Sequence, residues 1–144
     1  MRLILDTNTV VSGLLWSGPP SQVIDAAITG TVDLFSSAVL LGELLDVLQR
    51  PKLTRRLALR GLTAQELLAE YAKLVIDVSP TTLPISVSID PDDDAVLACA
   101  LTAQAEAIVS GDHHLLDLKS YQGIPILTVL ELLALIAPSP PARP

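Results

Sequence analysis

The sequence predicts an α/β fold, a three-layer α/β/α sandwich around a central, mainly parallel sheet. Three observations predict it. Short aliphatic runs such as RLIL and AIV alternate with longer segments of helical period. Their consecutive residues are apolar, as in strands covered on both faces. Helix punctuation falls between the runs: Pro or Thr-x-x-Glu at starts and Gly at stops.

Each element follows in order. RLILD (2–6) reads as a buried strand. TVVSGLLW (9–16) and PPSQVIDAAITG (19–30) read as helices, separated by Gly18, Pro19 and Pro20 and stopped by Gly30. VDLFSS (32–37) is a second strand. SAVLLGELLDVLQR (37–50) is an apolar helix ended by Pro51, and KLTRRLALRG (52–61) is a basic helix with Gly61 at its end. TAQELLAEYAKLV (63–75) opens on Thr63 and Glu66 at capping-box spacing. VIDVS (75–79) reads as a strand, and TTLPISVSI (81–89) has no single reading. DPDDDAVLACALTAQA (90–105) is a helix with Pro91 at its first position. AIVSG (107–111) and IPILTV (124–129) are strands. The final helix, TVLELLALIA (128–137), has a second capping box in Thr128 and Glu131. Residues 1–136 form one domain, and 137–144 form a Pro-rich tail expected to be disordered.

Composition narrows the function. With 50% hydrophobic but 3% aromatic residues, Leu, Ala, Val and Ile fill the core. A net charge of −7 argues against an overall basic nucleic-acid binder. Five of the nine basic residues nevertheless lie in RPKLTRRLALR: Arg50, Lys52, Arg55, Arg56 and Arg60. Cys99 is the single cysteine, so no intrachain disulfide forms, and no Cys/His spacing suits zinc. The apolar run after Arg2 is cut by Asp6 too early for a signal peptide. ILTVLELLALIA is too short to cross a bilayer and carries Glu131. The expectation is a soluble, cytoplasmic protein with no membrane partner.

The acids carry the chemistry. Ligands of parallel α/β sheets bind at the carboxyl ends of strands. Asp6 ends the first strand and Asp112 follows AIVSG, so the two carboxylates are expected close together. Asp6 is either a helix cap or a chemical group. Glu43 has no Lys or Arg within a turn along its helix, so it is either a solvated glutamate or an acid held at a site. In DPDDD, Asp90 is a good N-cap, and Asp92 and Asp93 suit the helix dipole. Asp94 is the acid left over, one turn before the small Ala98. If these four carboxylates share a pocket, they need divalent cations to stay ionised. An all-oxygen set suits magnesium or manganese, and such sites serve phosphate-ester chemistry.

LDTN (5–8), ELLDVL (43–48), DDDAVLACA (92–100) and SGDHHLLDL (110–118) together resemble the PIN-domain family of metal-dependent nucleases. Within that family the chain is similar to the toxins of VapC-type toxin–antitoxin pairs, over roughly residues 2–135. The resemblance implies a PIN-like fold and an acidic quartet of Asp6, Glu43, Asp94 and Asp112 holding Mg2+ or Mn2+. Asp92 and Asp93 are next in line, and Asp112 is the most variable position of the four. Asn8 and Ser110 are implied to bond the acids or the substrate, with Thr7 and Ser36 as lesser candidates. The implied reaction is hydrolysis of RNA phosphodiester bonds to 5′-phosphate and 3′-hydroxyl ends. The implied partners are an RNA substrate, a second copy in a homodimer and a cognate antitoxin protein. Arg50, Lys52, Arg55, Arg56 and Arg60 either track the RNA backbone or form a solvated basic face. His113 and His114 read as a solvated loop, because no further histidine completes a ligand set.

Two alternatives compete. One is a non-catalytic PIN scaffold that binds RNA or protein. The other is a haloacid-dehalogenase-like phosphatase, which Gly111, Asp112 and Asp117 would suit. That phosphatase needs a second Asp where this chain has Asn8.

Overall fold

A computed structural model describes residues 1–79 and 91–137, with Pro91 and Asp92 as backbone only. The chain runs β1 (Arg2–Leu5), α1 (Thr7–Leu15), α2 (Pro19–Ile28), β2 (Asp33–Ser36), α3 (Ala38–Leu48), α4 (Pro51–Ala58), α5 (Ala64–Leu74) and β3 (Ile76–Asp77). It continues as α6 (Pro91–Ala103), β4 (Ala107–Val109), α7 (His113–Leu116), β5 (Ser120–Tyr121), β6 (Ile124–Leu127) and α8 (Val129–Ile136). The sheet order is β3-β2-β1-β4-β6-β5. All neighbours pair in parallel except β5 with β6.

Alternation along each strand builds the three layers. Leu3 and Leu5 of β1, with Ala107 and Val109 of β4, face a core shared with α1, α2, α3 and α8. Ile4, Ile108 and Ile126 point the other way, onto Val96, Leu97 and Ala100 of α6 and Leu115 of α7. Leu40 of α3 joins this second core. The start of α3 therefore reaches over the sheet edge toward α6.

The order also locates a crevice. From β1 the chain steps outward to β2 and β3, then returns to the opposite side of β1 as β4. Leu5 pairs with Val109 in register, and the Asp6 N–H donates to the Val109 carbonyl at 3.1 Å. The order in which the chain adds strands reverses between β1 and β4, which is where open α/β sheets bind ligands.

The architecture is the sandwich that the sequence predicts, with four local differences. First, α3 ends at Leu48, and Pro51 instead opens α4 at its first position. Second, His113 and His114 lie not in a loop but in the short α7, with both side chains exposed. Third, β5 pairs with β6 through Gln122 and Gly123, whose φ values of 47° and 83° are those of a primed turn that Gly favours. Fourth, helical i,i+4 spacing would pair Asp46 with Arg50, but no ion pair joins them among the described residues, because Arg50 lies beyond the end of α3. The segment 81–89, the Asp90 cap and the tail from 138 lie outside the described residues. None of the described helices is long and apolar enough to cross a membrane.

Candidate active site

Asp6 closes β1 and opens α1. One carboxylate oxygen accepts the Thr9 N–H at 2.9 Å and so caps α1. The other accepts the Ser110 hydroxyl, which comes from the end of neighbouring β4. Ser110 is fully buried, and its Oγ also accepts the Asp112 N–H at 2.9 Å. Asp112 in turn caps α7, its Oδ1 accepting the His114 N–H at 2.9 Å. One hydroxyl thus ties the ends of β1 and β4 together and fixes the spacing of two acids. Asp6 is both a helix cap and a group facing the crevice.

Beyond these bonds lies a cavity of about 60 Å3, lined by Asp6, Thr7, Asn8, Glu43, Asp93, Val96 and Asp112. It has room for a cation with a small number of waters. Asp6 is 7% exposed and Asp93 6%, while Glu43 and Asp112 are half-buried. Glu43 follows Leu40 by three residues, so the α6-facing side of α3 delivers it. Three of the four acids expected from the sequence therefore meet, together with Thr7 and Asn8.

The fourth differs. Asp93, not Asp94, lines the cavity. Helical phase is the reason. Val96, Leu97 and Ala100 are the sheet-facing stripe of α6, each at most 2% exposed, and Asp93 precedes them by three, four and seven residues. Asp94 is rotated one position away and is half-buried. Residues 95–101 are all apolar, so burial and not the sequence marks this stripe, which extends one turn back to Asp93. Ser36, also buried, does not line the cavity. Its carbonyl accepts the Val78 N–H at 2.9 Å in the β2–β3 pairing.

No Lys, Arg or His is among the described lining residues. Four carboxylates around one small cavity repel one another unless a cation enters. Their oxygen donors suit the hard ions Mg2+ and Mn2+. Among the described residues, no three His, Cys, Asp or Glu side chains form a ready-made metal cage. The acids border a shared space without closing on one point, as their mutual repulsion dictates. The donor chemistry fits a divalent ion, and Asp6 and Asp112 each spend one oxygen on a cap bond.

Two grooves flank the cavity. A groove of about 750 Å3 shares Asn8 and Asp112 with it. On the other side, one of about 430 Å3 shares Glu43 and runs past Asp46 to Arg50.

The structure divides the basic stretch. Arg56 donates to the Leu15 carbonyl from Nε at 3.2 Å and from a terminal nitrogen at 2.9 Å, and stacks 4.5 Å from the Trp16 ring. Arg60 donates to the same carbonyl at 2.8 Å and to that of Leu14 at 3.4 Å. Both guanidinium groups cap the C-terminus of α1, where cations are favoured. These bonds hold Arg56 and Arg60 against the end of α1. Arg55 reaches back to the Pro51 carbonyl at 3.3 Å. Arg50 and Lys52 are exposed.

Behind the site, burial pushes the Cys99 thiol up to about 12, the charge of Asp77 adds to the rise, and a hydrogen bond with Ser37 opposes it. Cys99 is fully buried and inert at neutral pH.

A model of the PIN domain family matches residues 2–114. No curated protein sequence matches the chain. Among solved structures, the chain is similar to one in the crystal structure of VapBC2 from Rickettsia felis bound to a DNA fragment from their promoter. The TM-score is 0.59 at 14% identity, covering 89% of this chain and 98% of that one.

Proposed function

Because the chain belongs to the PIN-domain family, we propose that it is a divalent-metal-dependent ribonuclease centred on the acidic cavity. The observation that carries this reading is the meeting of Asp6, Glu43, Asp93 and Asp112 around one cavity. These acids come from four separate elements, and the described lining offers no cation of its own. Asp6 and Asp93 would hold Mg2+ or Mn2+, and Glu43 and Asp112 would complete the set or orient the attacking water. When bound, the ion supplies Lewis acidity and charge neutralisation at a phosphodiester.

The chain's own residues do the rest. Ser110 holds the Asp6 carboxylate and the Asp112 backbone at a fixed separation, which keeps the site preorganised. Asn8, exposed at the cavity rim, offers an amide to substrate. Arg50, beside Glu43 in the neighbouring groove, is placed to take an RNA phosphate, with Lys52 and Arg55 further along. Asp93 takes the part that the resemblance assigned to Asp94. Hydrolysis leaves 5′-phosphate and 3′-hydroxyl ends.

The biological reading is the toxin of a toxin–antitoxin pair acting on RNA in the cytoplasm, with a protein antitoxin as partner. The fold's likeness to a chain of the VapBC2 structure supports it. Exposed Ile28, Val39 and Leu135 offer apolar surface for a second copy or for that antitoxin.

The test is cleavage of a mixed RNA panel by purified protein in Mn2+ or Mg2+, with EDTA and Asp6→Asn controls. Metal-dependent cutting that Asp6→Asn abolishes supports the nuclease. A folded protein that neither cuts nor binds Mn2+ rejects it in favour of a non-catalytic scaffold.

A further inference from the structure

The groove of about 750 Å3 lies within the size range of small-molecule sites. It opens directly off the acidic cavity, sharing Asn8 and Asp112. Its chemistry differs from that of the groove on the Glu43 side. Arg50 lines that one, whereas no Lys or Arg lines this one among the described residues.

What lines it suits a base and a sugar. Asn8 and Ser12 lie one turn apart on the same face of α1, and both border the groove. Neither the Asn8 amide nor the Ser12 hydroxyl has a hydrogen-bond partner among the described residues, so both are open to a ligand. Leu116 and Leu130 supply apolar surface, and the exposed His113 supplies a planar ring. Hydrogen bonding to base edges and the 2′-hydroxyl, with stacking on a flat side chain, is how proteins hold single-stranded RNA.

We propose that this groove seats one nucleotide of the RNA, on the opposite side of the scissile bond from Arg50. Base and ribose lie against His113, Leu116 and Leu130, with Asn8 and Ser12 bonding their polar edges. The inference rests on the nuclease reading. It assigns substrate preference to this groove, not to the basic stretch.

The experiment is a nuclear magnetic resonance titration of the full chain in Mg2+ with adenosine, guanosine, cytidine and uridine 5′-monophosphates in turn. Saturable amide shifts at Ser12, Gly111 and Leu130 are expected with at least one nucleotide. Ser12→Val should weaken binding by about threefold to tenfold, the loss of one hydrogen bond. Leu130→Glu, on an exposed position that cannot upset folding, should weaken it at least as much by charge repulsion. Shifts confined to Gly42 and Arg50, no shifts with any nucleotide, or binding unchanged in both variants overturns the proposal. RNA cleavage by the same preparations separates the two claims. Cutting without groove shifts rejects the subsite alone, and groove shifts in a folded protein that neither cuts RNA nor binds Mn2+ reject the nuclease alone.

Discussion

Alanine at Gly13 and alanine at Gly42 should change stability in opposite directions. Both glycines sit inside helices, where Ala is favoured by about 1 kcal/mol. At Gly42, an exposed position of α3, an added Cβ would meet no atom within 4 Å, so only this preference acts. Gly42→Ala should stabilise by about 0.5–1 kcal/mol. At Gly13 the same Cβ would stand 2.8 Å from the Pro20 carbonyl oxygen and 2.8 Å from Ile24 Cγ1, where ordinary contact begins at 3.4 Å. The oxygen is backbone of α2, and Ile24 is only 6% exposed, so neither neighbour swings aside. Overpacking of this kind costs about 1–3 kcal/mol, which exceeds the helix preference. The net loss is up to about 2 kcal/mol, or a Tm drop of about 4–8 °C for a chain of this length. Urea denaturation and thermal melts of both variants measure it. A Gly13→Ala protein as stable as wild type would refute the packing of α1 on α2 described above.

Other predictions follow from the same contacts. Ser110→Ala removes a hydrogen bond to a carboxylate and leaves the Asp112 N–H unpaired, so urea unfolding without metal should show a loss of about 2–3 kcal/mol; a loss below about 0.5 would contradict the bridge. Arg56→Ala should cost about 1–2 kcal/mol of stability through the Leu15 carbonyl and Trp16. Arg50→Ala should leave stability alone, weaken RNA binding and lower its salt slope by about one. Stability should fall as pH rises above 9, because the unfolded chain then releases the Cys99 proton while the native thiol keeps its own up to about 12. The slope reaches about 1.4 kcal/mol per pH unit, and Cys99→Ala should flatten it until Tyr71, held protonated by burial, adds its own share.

The sequence announces the sheet because each buried strand is a run of aliphatic residues, and it places Asp6 and Asp112 because strand ends are where parallel sheets expose ligand groups. Glu43 was legible as a candidate because no Lys or Arg lies within a turn of it along the helix. Asp93 ranked behind Asp94 because its position near a helix start offers a sufficient local explanation, the helix dipole. Only the stripe of Val96, Leu97 and Ala100 shows which side of α6 meets the sheet. The tasks of Arg56 and Arg60 depend on carbonyls 41 to 46 residues away, which no local pattern reveals. The four-residue α7 and two-residue β5 are too short to leave a periodic signal.

The central claim is that Asp93, with Asp6, Glu43 and Asp112, forms the reaction centre. The most direct test is the Mn2+-dependent RNA cleavage rate of Asp93→Asn against Asp94→Asn, each checked for folding. A fall of about 100-fold or more is expected for Asp93→Asn and only a few-fold change for Asp94→Asn. The reverse order, or equal rates in both, would contradict it.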